Sequence, residues 1–167
     1  MLKHFLCLAT LLAGTAAAPA LAGAATSGLT PDGTWVTPLK TEVTITPCRK
    51  GYCGFVSKIV VPAGVLKPGE SLDGVDINKA TDARNKDPRM RSRRILGLRI
   101  LTLSATPDSS GAYNGEIYDA EDGNTYSGYV VMQDQGTLRL SGCVLFNVIC
   151  QSQDWTRAAT APGRRQP

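Results

Sequence analysis

The acidic residues that begin at position 116 are the first group whose types and spacing could do chemistry. Four acids are followed closely by an amide: Glu116, Asp119, Glu121, Asp122 and Asn124. Paired carboxylates can hydrolyse glycosidic bonds, and oxygens of this kind can bind calcium. The same run is also what a tight β-turn requires, because Asp, Gly and Asn adopt turn conformations readily. We favour the turn, since the spacing does not match an EF-hand loop and only 6% of the chain is aromatic, which is little for a sugar-binding cleft.

A strongly basic segment precedes this acidic run. The whole chain has 18 Lys and Arg against 14 Asp and Glu, but residues 79–99 hold eight of the basic residues and residues 100–138 hold none. Two interpretations stay open. Arg91 and Arg93 could present guanidinium groups to a phosphate, carboxylate or lipid headgroup, or the arginines could pair with the acidic run and form a solvated face. Nucleic acid is not an expected partner, because the segment lacks interleaved aromatic residues for base stacking.

The first 22 residues have the pattern of a secretory signal peptide. Lys3 and His4 precede an apolar run, and small residues lead up to Ala22. We predict cleavage after Ala22 and a periplasmic or secreted location in a bacterium. The apolar run is too short for a transmembrane helix and ends at Pro19. We therefore expect no transmembrane segment in the mature protein.

Cleavage at that position would leave four cysteines and no histidine, since the single histidine is His4. Catalysis by Ser-His-Asp or Cys-His and zinc binding through histidine are then excluded. Four cysteines in an exported chain predict two disulfides. Three pairings exist, and we favour Cys48–Cys53 and Cys143–Cys150, because each closes a short hairpin. No Cys-x-x-Cys, Gly-x-Ser-x-Gly or phosphate-binding loop occurs, so we expect no enzyme activity, cofactor or metal.

Several aromatic residues are candidates for lining a binding cavity. They lie at predicted strand positions: Phe55, Tyr113, Tyr118, Tyr126 and Tyr129. Gly115 and Gly128 lie two residues from tyrosines, on the same faces, and predict space in the wall of the fold. An open pocket and an interior filled by side chains are both compatible with this pattern.

The elements that must position these residues are β-strands. Apolar and polar residues alternate with period two, and Gly, Pro, Asn and Asp clusters interrupt the alternation. The predicted strands are Val43–Thr46, Tyr52–Val61, Leu98–Ser104, Ala112–Asp119, Thr125–Gln133, Thr137–Val144 and Ile149–Arg157. A long connection, residues 62–97, should hold a short helix over Arg89–Ile95, with Asp87 as its cap and Pro88 in its first turn.

We therefore predict an all-β fold, a small antiparallel up-and-down barrel with one long connection, and a sandwich is the alternative. The barrel should span residues 33–157. Residues 23–32 and 158–167 are small, polar or proline-containing and are expected to form flexible tails.

Two motifs at the ends of the predicted barrel resemble the closing signature of lipocalin-like (calycin) proteins. They are Gly33-Thr34-Trp35 and Trp155-Thr156-Arg157. In that family an early tryptophan lies across the closed end and an arginine of the last strand covers its ring. A guanidinium over an indole face gains about 0.5–2 kcal/mol. The resemblance implies that Gly33, Trp35, Trp155 and Arg157 close the barrel.

The whole of residues 33–157 resembles a family of small exported bacterial proteins known as domain of unknown function 2147. The matching residues include Gly33, Trp35, Cys48, Cys53-Gly54, Asp82, Asn85, Asp87-Pro88, Arg91, Arg93, Gly115, Ile117-Tyr118-Asp119, Asp122-Gly123, Leu138, Leu140, Gly142 and Trp155-Thr156-Arg157. The resemblance implies a lipocalin-like fold and brings no established activity with it.

We expect a periplasmic or secreted binding protein that holds a small apolar or amphipathic ligand in the barrel, with Arg91 and Arg93 near a charged, anionic head. The alternative is a non-catalytic cell-envelope interaction module with a filled barrel. A hydrolase that uses the acidic residues is the third interpretation.

Overall fold

Eight antiparallel strands form a closed barrel in a computed structural model that describes residues 28–61, 73, 75–144 and 148–159. The strands are β1 Gly33–Val36, β2 Glu42–Cys48, β3 Gly51–Lys58, β4 Arg99–Leu103, β5 Ala112–Asp119, β6 Asn124–Met132, β7 Thr137–Val144 and β8 Ile149–Arg157. Each strand pairs with the next, and β8 returns to β1. This confirms the predicted all-β up-and-down barrel. The predicted signal peptide and most of the predicted tails, residues 1–27 and 160–167, lie outside the described residues.

The barrel core comes from the apolar members of the alternating strands. Their inward side chains form one buried cluster: Trp35, Val43, Ile45, Leu101, Leu103, Tyr113, Val130, Leu138, Leu140 and Trp155. Complete burial of a large apolar side chain contributes about 1.5–3 kcal/mol. The period-two pattern therefore decides which face of each strand turns inward.

One strand was not predicted. The seven strands predicted from the sequence begin at Val43 and do not include β1, whose residues Gly33–Val36 pair with β2. The strand is short and has only one fully buried side chain, Trp35, so its alternation is too brief to be read. Trp35 and Val36 also pair with the end of β8, which closes the barrel.

The predicted helix over Arg89–Ile95 is wrong. The chain forms a single 3-10 turn, Pro88–Met90, although Asp87 caps it as predicted and accepts a hydrogen bond from the Arg89 backbone N–H (3.0 Å). Beyond the turn, the Asp82 N–H donates to the Arg93 carbonyl (2.9 Å) and the Ile95 N–H donates to the Ala80 carbonyl (3.0 Å). These bonds require an extended backbone at residues 93–95, and a helix there would break them.

Both favoured disulfides are present. Cys48–Cys53 joins the ends of β2 and β3, and Cys143–Cys150 joins β7 to β8. Each one links residues of a single hairpin, as their short separation in the sequence predicts.

The end of the barrel at which β1 begins is closed by the preceding residues. The Trp35 Nε1–H donates to the carbonyl of Pro31 (2.8 Å), whose side chain is completely buried. The Tyr113 hydroxyl donates to the carbonyl of Leu29 (3.1 Å). Within the tail predicted over 23–32, Leu29 and Pro31 are therefore bonded to the barrel at this end through their carbonyls.

Arg157 completes the same closure. Its guanidinium lies 4.2 Å from the ring centroid of Trp35 and donates hydrogen bonds to the carbonyls of Asp32 (2.9 Å) and Gln135 (2.6 Å). Gly33 has a φ of +126°, and a Cβ at this position would lie 2.2 Å from Arg157 Nη1. Glycine is thus required here both by the backbone conformation and by the close approach of the arginine.

Candidate ligand cavity

A cavity of about 740 Å³ occupies the opposite end of the barrel. Because consecutive strands are antiparallel, the β1–β2, β3–β4, β5–β6 and β7–β8 connections all meet at one end, which we call the open end. The other end, sealed by Pro31, Trp35 and Arg157, is the closed end. Residues from three of these connections line the cavity, including Leu39, Ile59 and Glu121, and the strand ends Val144 and Ile149 line it on the β7–β8 side.

The wall and floor of this cavity are mainly apolar. The wall includes Val56, Ile100, Leu101, Ile117, Leu140, Val144 and Ile149. Trp155, which is 2% exposed and belongs to the core cluster, also lines the cavity and forms its floor. The barrel interior is therefore filled at the closed end and empty at the open end.

Three glycines occupy neighbouring positions on adjacent strands of the barrel wall. Gly115, Gly128 and Gly142 lie side by side on β5, β6 and β7. A Cβ on Gly115 would lie 1.9 Å from the Thr102 carbonyl oxygen, and one on Gly128 would lie 2.4 Å from Ile117 Cδ1. The predicted space at Gly115 and Gly128 is therefore wrong, because neighbouring atoms already occupy it. Only at Gly142 would a Cβ meet an ordinary contact, Ile117 Cδ1 at 3.7 Å.

The acidic run forms one side of the cavity mouth. Asp119, Glu121 and Asp122 line it together with Tyr118 and Tyr126. The Tyr126 hydroxyl donates to Asp122, which lowers the pKa of the carboxyl and raises the pKa of the phenol.

Hydrogen bonds within this run are those of a turn. Asp119 accepts from the backbone N–H of Glu121 (2.8 Å), and Asp122 accepts from that of Asn124 (2.8 Å). Within the described residues, no group of three His, Cys, Asp or Glu side chains is arranged to hold a metal ion. Glu116 pairs with Thr102 and Ser127 on the outer face of the sheet and does not line the cavity.

A buried hydrogen-bond network stands beside the mouth, between the long connection and β5. The Asp82 carboxylate is completely buried and accepts from the Tyr118 hydroxyl (2.7 and 2.8 Å), Asn85 Nδ2 (2.8 Å) and Arg93 Nε (2.8 Å). The Arg93 guanidinium also lies 5.0 Å from the Tyr118 ring centroid. Burial by itself raises the pKa of Asp82, but the three donors outweigh it and hold the pKa below its usual value.

The other arginines of the connection also bond to the protein. Arg91 Nε donates to the Asn85 carbonyl (2.8 Å), and Arg84 Nη1 donates to the Glu121 carbonyl (2.6 Å). Arg89 pairs with Asp87 (2.8 Å). Of the two arginines predicted to meet an anionic head, neither Arg91 nor Arg93 lines the cavity.

The predicted aromatic residues separate into three places. Tyr118 and Tyr126 line the cavity mouth. Tyr113 is 4% exposed at the closed end, with its ring edge-on to Tyr52 at 5.6 Å. Tyr129 pairs with Asn114 and Ser141 and does not line the cavity.

Phe55 lies on the outer face, in a second and smaller cavity of about 370 Å³. Arg49, Lys50 and Arg99 line this outer groove beside the Cys48–Cys53 disulfide. It is a basic surface feature separate from the barrel interior.

Strand β8 contributes cavity-lining residues that were not predicted, together with Trp155, which was predicted to close the barrel. Ile149, Gln151, Gln153 and Trp155 alternate along it, and all four line the cavity. Their spacing by two was a usable signal, because Trp155 fixes which face turns inward. Because Gln151 and Gln153 are polar at inward positions, the alternation of apolar and polar residues did not predict which side chains of β8 line the cavity.

No helix in the described ranges is long and apolar enough to cross a membrane.

The barrel resembles the solved structure of protein HP1028 from the human pathogen Helicobacter pylori, which belongs to the lipocalin family. The TM-score is 0.60 and the identity 18%, over 77% of this chain and 82% of that one, so the likeness shows the fold alone. A search of the curated proteins finds no match. A family model described as an uncharacterized protein conserved in bacteria matches residues 33–157, and the chain therefore belongs to the DUF2147 family.

Proposed function

We propose that the protein binds a small apolar or amphipathic molecule in the open-end cavity, without catalysis. The observation that carries this proposal is the half-filled barrel, in which Trp155 ends the packed core and an apolar cavity of about 740 Å³ begins. Ligand pockets are typically concave, mainly apolar and about 300–1,000 Å³ in volume. A barrel that served only as a scaffold would have no need to leave this space unfilled.

Two unpartnered polar atoms give further support. Trp155 Nε1 and Thr37 Oγ1 are buried and have no hydrogen-bond partner within the described residues. Both residues line the cavity. Buried polar groups in folded proteins are nearly always satisfied. Because Trp155 Nε1 has no accessible surface, a ligand oxygen near the floor would supply its missing acceptor only after a small shift of the indole.

Native mass spectrometry of protein purified from the periplasm tests the proposal directly. We expect a co-purified small molecule, and a neutral apolar dye such as N-phenyl-1-naphthylamine should gain fluorescence on binding. Failure to find any extractable ligand, together with no thermal shift across fatty acids and other amphiphiles, would contradict the proposal.

A cavity-filling variant makes this test specific. Gly142 lines the cavity, and a Cβ there would meet only an ordinary contact, Ile117 Cδ1 at 3.7 Å. We expect Gly142→Leu to reduce dye binding at least tenfold. Ser127→Leu adds the same side chain at an exposed position that does not line the cavity and serves as the control. Equal binding by both variants would place the dye elsewhere.

We also propose that the protein works outside the cytoplasm. The two disulfides support this, because such bonds persist mainly in oxidising compartments, and the sequence of residues 1–22 adds the signal-peptide pattern. Sequencing the N-terminus of protein from the periplasmic fraction should give Gly23 as the first residue. An uncleaved protein in the cytoplasmic fraction would contradict this.

The outer groove favours a second candidate function, contact with an anionic partner in the cell envelope. Arg49, Lys50 and Arg99 line it, and none of its described lining residues is acidic. Sedimentation with vesicles that contain phosphatidylglycerol tests this. Binding that is lost on Arg49→Gln and Arg99→Gln, while the dye still enters the barrel, would separate this function from ligand binding.

A further inference from the structure

We propose that the cavity selects amphipathic ligands with a cationic head group, such as an ammonium, over those with a carboxylate. This inference rests on the proposed function and names the ligand class for the same cavity. It replaces the expectation of an anionic head that the basic connection suggested.

The charges at the mouth carry the inference. Three carboxylates line the cavity, those of Asp119, Glu121 and Asp122, and no Lys or Arg among the described residues lines it. Asp122 stays ionised at neutral pH, because the hydrogen bond from Tyr126 lowers its pKa. An anionic head placed at this mouth would meet like charges, whereas a cationic head would meet opposite ones.

The nearby basic residues keep their charge, but those that the structure describes do not line the cavity. Arg93 is held by the Asp82 carboxylate, and Arg91 donates to a backbone carbonyl. Arg84 donates to the Glu121 carbonyl oxygen and leaves the side-chain carboxylate of Glu121 without an ion pair in the described structure. Lys86 lies near enough to contribute to the low pKa of Asp122, but it does not line the cavity.

The cavity floor is a second observation that points to an amphipathic ligand. Trp155 is 2% exposed, lines the cavity and has an unpartnered Nε1. Apolar side chains such as Leu101 and Leu140 surround it. Among the described lining residues the acidic groups lie only at the mouth, so an apolar tail fits below and a charged head fits above. Tyr126 adds an aromatic ring at the level of the head, and such rings attract ammonium groups, whereas the Tyr118 ring already has the Arg93 guanidinium 5.0 Å from its centroid.

Three ligands with the same tail test the charge preference. Dodecyltrimethylammonium, dodecanol and dodecanoate are compared by displacement of N-phenyl-1-naphthylamine, each well below its micellar concentration. We expect the ammonium to bind about tenfold more tightly than the carboxylate at low ionic strength, since exposed charges contribute modestly. The difference should shrink at about 0.15 M salt, because salt screens charges at the mouth.

Matched variants attribute the preference to the mouth. In Asp119→Asn with Glu121→Gln, the ratio of ammonium to dodecanol affinity should fall about fivefold. In Glu116→Gln with Asp134→Asn, which removes the same charge from residues outside the cavity lining, the ratio should not change.

The outcomes separate the two proposals. If neither the dye nor any of the three ligands binds, the proposed function fails. If dodecanol binds and dodecanoate binds as tightly as the ammonium, the charge inference is overturned while the cavity remains a binding site. An equal change in both double variants would assign the preference to net charge and would also overturn the inference.

Discussion

Replacement of Asp82 by asparagine should weaken the docking of the long connection on the barrel. The carboxylate is completely buried and accepts hydrogen bonds from Tyr118, Asn85 and Arg93. Asparagine keeps the shape but removes the charge and turns one acceptor into a donor. In the wild type all three donors bond to the carboxylate. In the variant, the asparagine N–H group would face one of these donors, which would lose its acceptor.

The magnitude follows from these contacts. A hydrogen bond to a charged group contributes about 1.5–3 kcal/mol and a neutral one about 0.5–1.5 kcal/mol, so the loss of charge across the two nitrogen donors costs about 2 kcal/mol. For a domain of this size, this lowers Tm by roughly 4–8 °C. Asp82→Ala removes the acceptor that the three donors share, leaves Asn85 Nδ2 only its bond to the Tyr118 hydroxyl (2.7 Å), and should cost about 3–5 kcal/mol.

The stabilisation by Asp82 must depend on pH, and the direction of its pKa shift determines whether it is lost in acid or in base. The pKa of Asp82 is lowered in the folded protein, so the unfolded chain binds more protons than the folded one near the ordinary pKa of about 3.9. The stabilisation is therefore complete above that pH and is lost as the pH falls through the folded pKa. Thermal unfolding of the wild type and Asp82→Asn should differ at pH 7 and converge in strong acid.

The control is Asp154→Asn, which alters an exposed pair with Arg139 (2.7 Å). Its Tm should stay close to that of the wild type, because exposed ion pairs contribute little. Equal stability of Asp82→Asn and the wild type at pH 7, or a difference that persists unchanged in strong acid, would refute the reasoning.

Two further predictions concern the barrel wall. Gly128→Ala places a Cβ 2.4 Å from the Ser141 carbonyl oxygen and should cost about 1–3 kcal/mol by overpacking, whereas Gly142→Ala should be nearly neutral; equal urea midpoints for the two would contradict this. Replacing both Cys143 and Cys150 by serine removes a crosslink within one short hairpin and should lower the free energy of unfolding by about 2.5 kcal/mol in the loop-entropy model. The loss is measured as a shift in the urea midpoint at unchanged m. An unchanged midpoint would show that the disulfide does not stabilise the hairpin.

The strands could be predicted because their burial is regular. Val43 and Ile45, for example, alternate with threonines and both turn into the core. The conformation of residues 89–95 could not be predicted from local signals. Asp87 and Pro88 are good helix-start residues, but the pairing of Arg93 and Ile95 with distant residues overrides them. Local propensity fails where the backbone hydrogen bonds are made by residues far apart in the sequence.

The cavity could be predicted only in part. The tyrosines were recognisable as strand residues, but their end of the barrel depends on the register of the whole sheet. Tyr113 fell at the closed end, whereas Tyr126 fell at the mouth. The role of the basic connection could not be predicted either, because the charge composition of a segment does not show which groups its arginines contact in the fold. Arg93 is engaged by Asp82, and that pairing needs the tertiary fold.

The contact of Trp35 with Arg157 lies where β1 meets β8, and we expect this pairing to set the order in which the barrel folds. Every other strand pairing joins neighbours in the sequence, and only β1 with β8 joins strands from opposite ends of the domain. Loop closure over so many residues is entropically costly until the intervening hairpins have shortened the effective loop. We therefore expect closure to be the last event, and the guanidinium 4.2 Å from the ring centroid of Trp35 should make the fluorescence of Trp35 report it. The cavity at the opposite end exists only once this seam has joined.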